Sequence, residues 1–165
     1  EVVELAVIDC AGAVLLDTLV RPSGPVPAEA AAIHGITDAM LAGAPTWSEI
    51  HARFCDLVEG RQVVIYNHEF DVRVINQTAR RYGLQAPQGF DQVLDRGPIH
   101  CAMQAYAEFH GAWNEEKKSY RWHKLSAAAA QQGVTVTNAH RALGDCLMTL
   151  GVVRAMASAG NAQGV

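Results

Sequence analysis

The feature that most constrains this sequence is the change of period at Asn67. Residues 62–66, QVVIY, apolar from Val63 onward, read as a short buried strand. From there on, apolar residues recur at Phe70, Val74, Ile75, Ala79 and Tyr82, the spacing of one helical face, until Gly83 stops the pattern. A short buried strand that passes through so brief a loop into a helix is a unit of α/β architecture, which requires a sheet with helices on its faces. The remaining pattern agrees. Residues 2–9 (VVELAVID) and 13–20 (AVLLDTLV) flank Ala11 and Gly12 and read as a β-hairpin. The proline-rich stretch 21–27 cannot continue a ladder and leads into AEAAAIHGIT, a short helix stopped near Gly35. Thr46 or Ser48 can cap a helix through Val58, with Ile50, Phe54, Leu57 and Val58 on one face and Gly60 ending it. A loop over 85–98 precedes a strand at 99–103 that enters a helix around Ala105. The polar stretch HGAWNEEKKSYRWHK then leads to a helix from about Lys124 to Gln132, stopped by Gly133. The last helix is expected from about Ala139 to Met156. The whole reads as one domain over residues 1–158 with a mixed sheet, and a tail over 159–165 that frays.

Composition narrows the function classes. A chain of 165 residues, half of them hydrophobic, can bury a core without covalent staples. Its net charge of −4 argues against gripping duplex DNA with a broad basic surface, and leaves room for a compact site that touches few phosphates. Cys10, Cys55, Cys101 and Cys146 are dispersed, with no CxxC pair to suggest zinc, and are expected to be reduced core thiols. The opening EVVELAVID has no signal-peptide layout and no uninterrupted apolar stretch reaches bilayer length, so no membrane partner is expected and a cytoplasmic location is the default.

Open α/β sheets bind ligands at strand ends, which directs attention to the loop after Tyr66 and the loop before the last helix. In YNHEFD, Asp71 stands one turn into the helix that follows the buried strand, a rigid and open place for a metal ligand or water-positioning carboxylate. An Asp in a first helical turn is equally what the helix macrodipole favours, so on its own the residue is open between the two roles. In AHRALGDC, His140 and Asp145 stand five apart. On an ideal helix that spacing rotates them by roughly 140°, so they converge only if His140 lies in the entering loop or first turn. Alone, His140 reads as a surface histidine near a helix start.

Taken together, the hairpin, IHGIT at 33–37, the strand-borne NHEFD and the terminal HRALGD stand in one order over residues 2–156. In that order they resemble the DnaQ-like family of DEDDh exonucleases, which has an RNase H-like fold and includes polymerase proofreading subunits and exodeoxyribonuclease X. The resemblance implies a 3′→5′ exonuclease that removes nucleoside 5′-monophosphates from a DNA or RNA 3′ end, preferably single-stranded. By it Asp71 matches the second acidic motif, with Tyr66 where the family usually has His, and His140 and Asp145 match the third. Asp71 and Asp145 would hold two divalent cations, Mg²⁺ or Mn²⁺, that clamp the attacking and leaving oxygens. His140 would be the general base, since an imidazole with a pKa of about 6.5 can accept a proton near neutrality. His34, Gly35, Asn67 and Phe70 would line the terminal-nucleotide site. Bland readings stand beside these: Gly35 as a helix stop, Phe70 as core. KKSYRWHK, residues 117–124, mixes basic and aromatic residues as a single-strand-binding surface would, although such a run is usually a solvated loop. A DNA polymerase or repair complex is the implied partner.

The resemblance also places the first motif, Asp-x-Glu, on an opening central strand upstream of the segment matching VVELAVID. Half the expected carboxylates then fall outside the sequence, and the expectation is that the natural protein carries that strand. Asp9, in VIDCAG, is the alternative first motif. It is set aside because AVLLDTLVRPSGPVP matches the next strand and its proline-rich exit, which makes Asp9 a hairpin-end residue. If the upstream strand does not exist, the runner-up function is a catalytically incomplete module that binds nucleic-acid ends or a polymerase.

Overall fold

The structure is a computed structural model and describes residues 1–90, 97–135 and 140–162. Strands β1 (Glu4–Ile8) and β2 (Val14–Leu19) form the expected antiparallel hairpin, in register from Glu4 opposite Leu19 to Ile8 opposite Val14, with a bulge between Val7 and Ile8. Its turn is closed by Asp9, whose carboxylate accepts the N–H groups of Ala11 and Ala13 at 2.9 and 2.8 Å. Asp9 is thus a hairpin-end residue, the local acceptor role that Asp plays in tight turns.

Helix α1 (Ala28–His34) ends where Gly35 takes the left-handed conformation at φ 72°, and a single-turn helix α2 (Asp38–Leu41), which the sequence pattern did not suggest, follows. Helix α3 (Trp47–Val58) starts at Thr46, whose N–H and hydroxyl both donate to the Glu49 carboxylate at 2.6 and 2.7 Å. Strand β3 (Val63–Ile65) runs into α4 (His68–Arg81), and β4 (Ile99–Cys101) pairs with β3 in parallel before α5 (Ala102–His110). Two short strands, β5 (Trp113–Asn114) and β6 (Ser119–Tyr120), form a hairpin inside the polar stretch read from the sequence as a loop. Helices α6 (Leu125–Gln131) and α7 (Ala142–Ala162) complete the chain.

Several expectations are corrected. β3 is not fully buried, since Val64 is 49% exposed. Cys10 is exposed, and Cys55, Cys101 and Cys146 are half-buried, rather than core. The last helix begins at Ala142, with Ala139 outside the described residues, and runs to Ala162, into the segment expected to fray. Among the described residues the antiparallel and parallel pairings of a mixed arrangement lie in separate two-stranded sheets, not in one continuous sheet.

Two apolar clusters hold these elements. The larger joins Leu5, Leu16 and Val20 of the hairpin region to Trp47, Ile50 and Phe54 of α3, Val72 and Ile75 of α4, and Ile99 of β4. Its aromatic members stack edge-to-face, Trp47 on Phe54 and Phe54 on Phe90, with centroids 5.8 and 5.7 Å apart. The smaller cluster gathers Tyr106, Ala128, Ala129, Met148 and Val152 from α5, α6 and α7. By length and composition residues 142–160 of α7 could cross a bilayer, which the sequence reading did not single out. The helix nevertheless carries Asp145 and Arg154, and Met148 and Val152 sit in that second cluster.

Gly151 shows how closely α7 is seated. A Cβ built there would lie 2.6 Å from Cγ1 of Val134. Alanine normally gains about 1 kcal/mol over glycine within a helix, whereas overpacking a tight contact costs about 1–3 kcal/mol. Gly151→Ala is therefore expected to lower stability in urea melting by about 1 kcal/mol net. Gly160→Ala, on the same helix with nothing within 4 Å of its Cβ, is expected to raise it. Equal shifts in the same direction would show that Val134 yields freely.

Candidate active site

Two left-handed residues set up the site. Asn67, at φ 60° and ψ 51°, turns the chain from β3 into α4, a conformation asparagine tolerates better than most side chains. This puts Asp71 in the first turn of α4, beside the end of β3. His140, at φ 68°, stands just before α7, and its backbone N–H donates to Oδ1 of Asp145 at 3.2 Å. The condition set by the five-residue spacing is met: His140 lies outside the helix, where its backbone folds back onto the first turn.

The electrostatics show that the two aspartates share one environment. Burial, and then the negative charge of Asp145, push the Asp71 carboxyl up to about 6. Asp145 is raised by burial and, more weakly, by Glu4, while the N–H and the imidazole of His140 pull it down. The Cys146 thiol is pushed up to about 11 by burial and then by Asp145, Asp71 and Asp17. Paired, desolvated carboxylates beside an imidazole are hard oxygen donors of the kind Mg²⁺ and Mn²⁺ prefer. Among the described residues, no group of three or more His, Cys, Asp and Glu side chains could hold a metal ion.

Glu4 makes the contact that the sequence reading missed. From β1 its carboxylate accepts Nε and Nη2 of Arg141 at 2.9 and 2.6 Å and the backbone N–H of Ala142 at 2.8 Å. It thereby pairs a cation and caps the N-terminus of α7, next to His140 on one side and Asp145 on the other. A charged residue at the centre of the apolar strand VVELAVID was a visible signal, but nothing local points to a partner 137 positions away. Tyr66, the residue that replaces the family's usual His, donates its hydroxyl to the carbonyl of His123 at 2.9 Å, and burial raises it to about 12.

The four residues expected to line the nucleotide site divide into two pairs. Asn67 and Phe70 flank Asp71 and are exposed. Phe70 is 52% exposed, with the Arg73 guanidinium 5.5 Å from its ring centre, so the core reading is corrected and His68 takes the buried place instead. His34 and Gly35 serve the turn after α1: Nδ1 of His34 accepts the N–H of Ile36 at 3.0 Å, and the Gly35 N–H donates to Ala31. No hydrogen bond among the described residues links that turn to Asp71 or Asp145.

An α/β domain that sets two desolvated carboxylates beside an imidazole carries the groups of a hydrolytic site, and the comparisons with known proteins give its class. A model of the RNase T exonuclease domain matches residues 1–153, and this chain belongs to the DnaQ-like exonuclease family. It is 50% identical over 163 residues to the uncharacterized exonuclease CP81 of Escherichia phage 186, covering 98% of this chain and 82% of that protein. It is 31% identical over 153 residues to the DNA polymerase III subunit epsilon of Aquifex aeolicus, covering 90% and 68%. A DNA polymerase III subunit epsilon-like protein of Rhodobacter capsulatus is 35% identical over 138 residues, and the match spans only 17% of that longer protein. Among solved structures, exonuclease X in complex with 5′ overhanging duplex DNA superposes with a TM-score of 0.66 at 25% identity, covering 96% of this chain and 84% of that one. The α/β RNase H-like fold expected from the sequence is thereby established.

Proposed function

We propose that this chain is a metal-dependent exonuclease that attacks phosphodiesters from the 3′ end of single-stranded nucleic acid and releases nucleoside 5′-monophosphates. The observation that carries the reading is the electrostatic pairing of Asp71 with Asp145 next to His140. Two desolvated carboxylates that repel each other are costly in a fold that gains nothing from them, and a divalent cation would repay that cost. Asp71 and Asp145 would hold Mg²⁺ or Mn²⁺, which when bound polarises the phosphoryl group and lowers the pKa of water. Further oxygen ligands would come from substrate and water.

Each of the chain's own residues has a task in this reading. His140 takes the proton of the attacking water, and its exposed place outside α7 leaves it room to meet that water. Asp145 accepts the His140 backbone N–H at 3.2 Å and so holds that residue in place at the start of α7. Phe70 offers an exposed ring for the terminal base, and Asn67 offers an amide for its sugar or phosphate. His34 and Gly35, in the turn after α1, would meet the terminal nucleotide by the resemblance alone. DNA is favoured as the substrate, and a polymerase as the host, by the relatives named as polymerase subunits and by the DNA complex of exonuclease X.

A 5′-labelled single strand incubated with Mg²⁺ or Mn²⁺ is expected to shorten stepwise from its 3′ end. His140→Ala is expected to slow this by about 10²–10⁴-fold with an unchanged melting curve. Tight binding of the strand by the parent chain without shortening would replace this reading with the catalytically incomplete module.

A further inference from the structure

All three lysines of the chain, Lys117, Lys118 and Lys124, and two of its three tryptophans, Trp113 and Trp122, fall within the twelve residues 113–124. With Arg121 they give this segment four basic residues against Glu115 and Glu116, in a chain whose net charge is −4. The segment is ordered. Trp113 faces Tyr120 across the β5–β6 ladder with ring centroids 5.1 Å apart and planes at 78°, and the Arg121 N–H bonds to Ala112 to extend the pairing. Oδ1 of Asn114 accepts the N–H groups of Glu116 and Lys117 and closes the turn.

These rings do not serve the core. Trp113, Tyr120 and Trp122 are 44%, 38% and 65% exposed, and none belongs to either apolar cluster. Tryptophan is usually largely buried, so a solvent-facing group of rings points to a partner. Lys118 pairs with Glu115, while among the described residues Lys117, Arg121 and Lys124 join no ion pair. The hairpin's exit is also fixed to the candidate active site. The His123 carbonyl accepts the Tyr66 hydroxyl at the end of β3, next to Asn67, and the His123 ring rests 4.2 Å from His110 and edge-on against Tyr106.

We propose that the β5–β6 hairpin and its exit through Lys124 form a landing platform for the single-stranded stretch that follows a 3′-terminal nucleotide into the site. Trp122 and the Trp113–Tyr120 pair stack bases, and Lys117, Arg121 and Lys124 neutralise phosphates. Local positive charge on an acidic chain, exposed rings between the cations, and the anchor at Tyr66 together select single-stranded nucleic acid over an apolar protein surface. The proposal rests on the exonuclease reading of Asp71 and Asp145 for what the platform delivers.

The test separates the two. Binding of a fluorescein-labelled oligodeoxythymidine of about twelve nucleotides is followed by anisotropy in EDTA, where no hydrolysis occurs. Trp122→Ala is expected to weaken binding by about tenfold. Replacing Lys117, Arg121 and Lys124 together by Ala is expected to flatten the slope of log affinity against log salt by about 2. Hydrolysis of the p-nitrophenyl ester of thymidine 5′-monophosphate with Mn²⁺, a substrate too small to reach the hairpin, is expected to be unchanged in both variants. Parental oligonucleotide affinity in both variants, or an equal loss of small-ester hydrolysis, overturns the platform. A parent chain that hydrolyses neither substrate yet binds the oligonucleotide through these residues sinks the exonuclease reading and leaves the platform standing.

Discussion

Replacing Asp71 with asparagine is expected to abolish strand shortening and, at the same time, to make the metal-free protein more stable at neutral pH. The Asp71 carboxyl is held at about 6, above its ordinary 3.8, because it is buried and faces Asp145. The fold therefore binds that proton more tightly than the unfolded chain does. The associated stability is present below the unfolded value near 4 and is lost as pH rises through about 6. The amide that replaces the carboxylate carries no such charge, so Asp71→Asn is expected to gain about 1–2 kcal/mol at pH 7 and close to nothing at pH 4, part of the full linkage being screened by water. Turnover is expected to fall on the order of 10³-fold, because the variant loses a charged oxygen at the point where the cation would be held. A cation at the pair would expel the Asp71 proton, so affinity for Mg²⁺ should weaken as pH falls below about 6. Urea melting at the two pH values, with and without Mg²⁺, reads all of this. A variant less stable than the parent at pH 7 in EDTA would mean that Asp71 is a structural cap and no strained ligand.

Glu4→Ala is expected to be the most destabilising single change in the site. It removes the acceptor for two Arg141 nitrogens and for the first N–H of α7, in a side chain that is 10% exposed. Loss of a charge-assisted pair together with a helix cap sums to about 2–3 kcal/mol. Glu4→Gln, which keeps the shape but not the charge, is expected to lose about half as much. The check is a double-mutant cycle with Arg141→Ala in urea: a coupling above about 1 kcal/mol is expected, and additive effects would show that the pair is only a surface contact. Strand shortening by the folded fraction of Glu4→Ala is also expected to be slow, since His140 and Asp145 lose the fixed end of the helix that spaces them.

What the sequence made legible was whatever repeats locally. The hairpin, the helix from Trp47 to Val58 and the strand-to-helix switch at Asn67 all follow from periodicity and punctuation, and the positions of Asp71, His140 and Asp145 followed from motif order. Phe70 was misjudged because its place in an apolar helical period said nothing about which neighbour, Phe70 or His68, would turn inward. The β5–β6 hairpin was missed because its strands are two residues long and its rings face solvent, so no alternation betrays them. Glu4 could not be paired with Arg141 because their contact depends on how the first strand meets the final helix, which only the assembled fold specifies.

That clasp also bears on when the domain can act. A site held by Glu4 on one side and by residues 140–145 on the other cannot assemble until the intervening chain has folded, because closing so long a loop comes late and is repaid only by the contacts it finally makes. During synthesis, a nascent chain that still lacks α7 presents Asp71 without Asp145 or His140. The pairing of Asp71 with Asp145 therefore forms only after α7 has emerged and settled against β1.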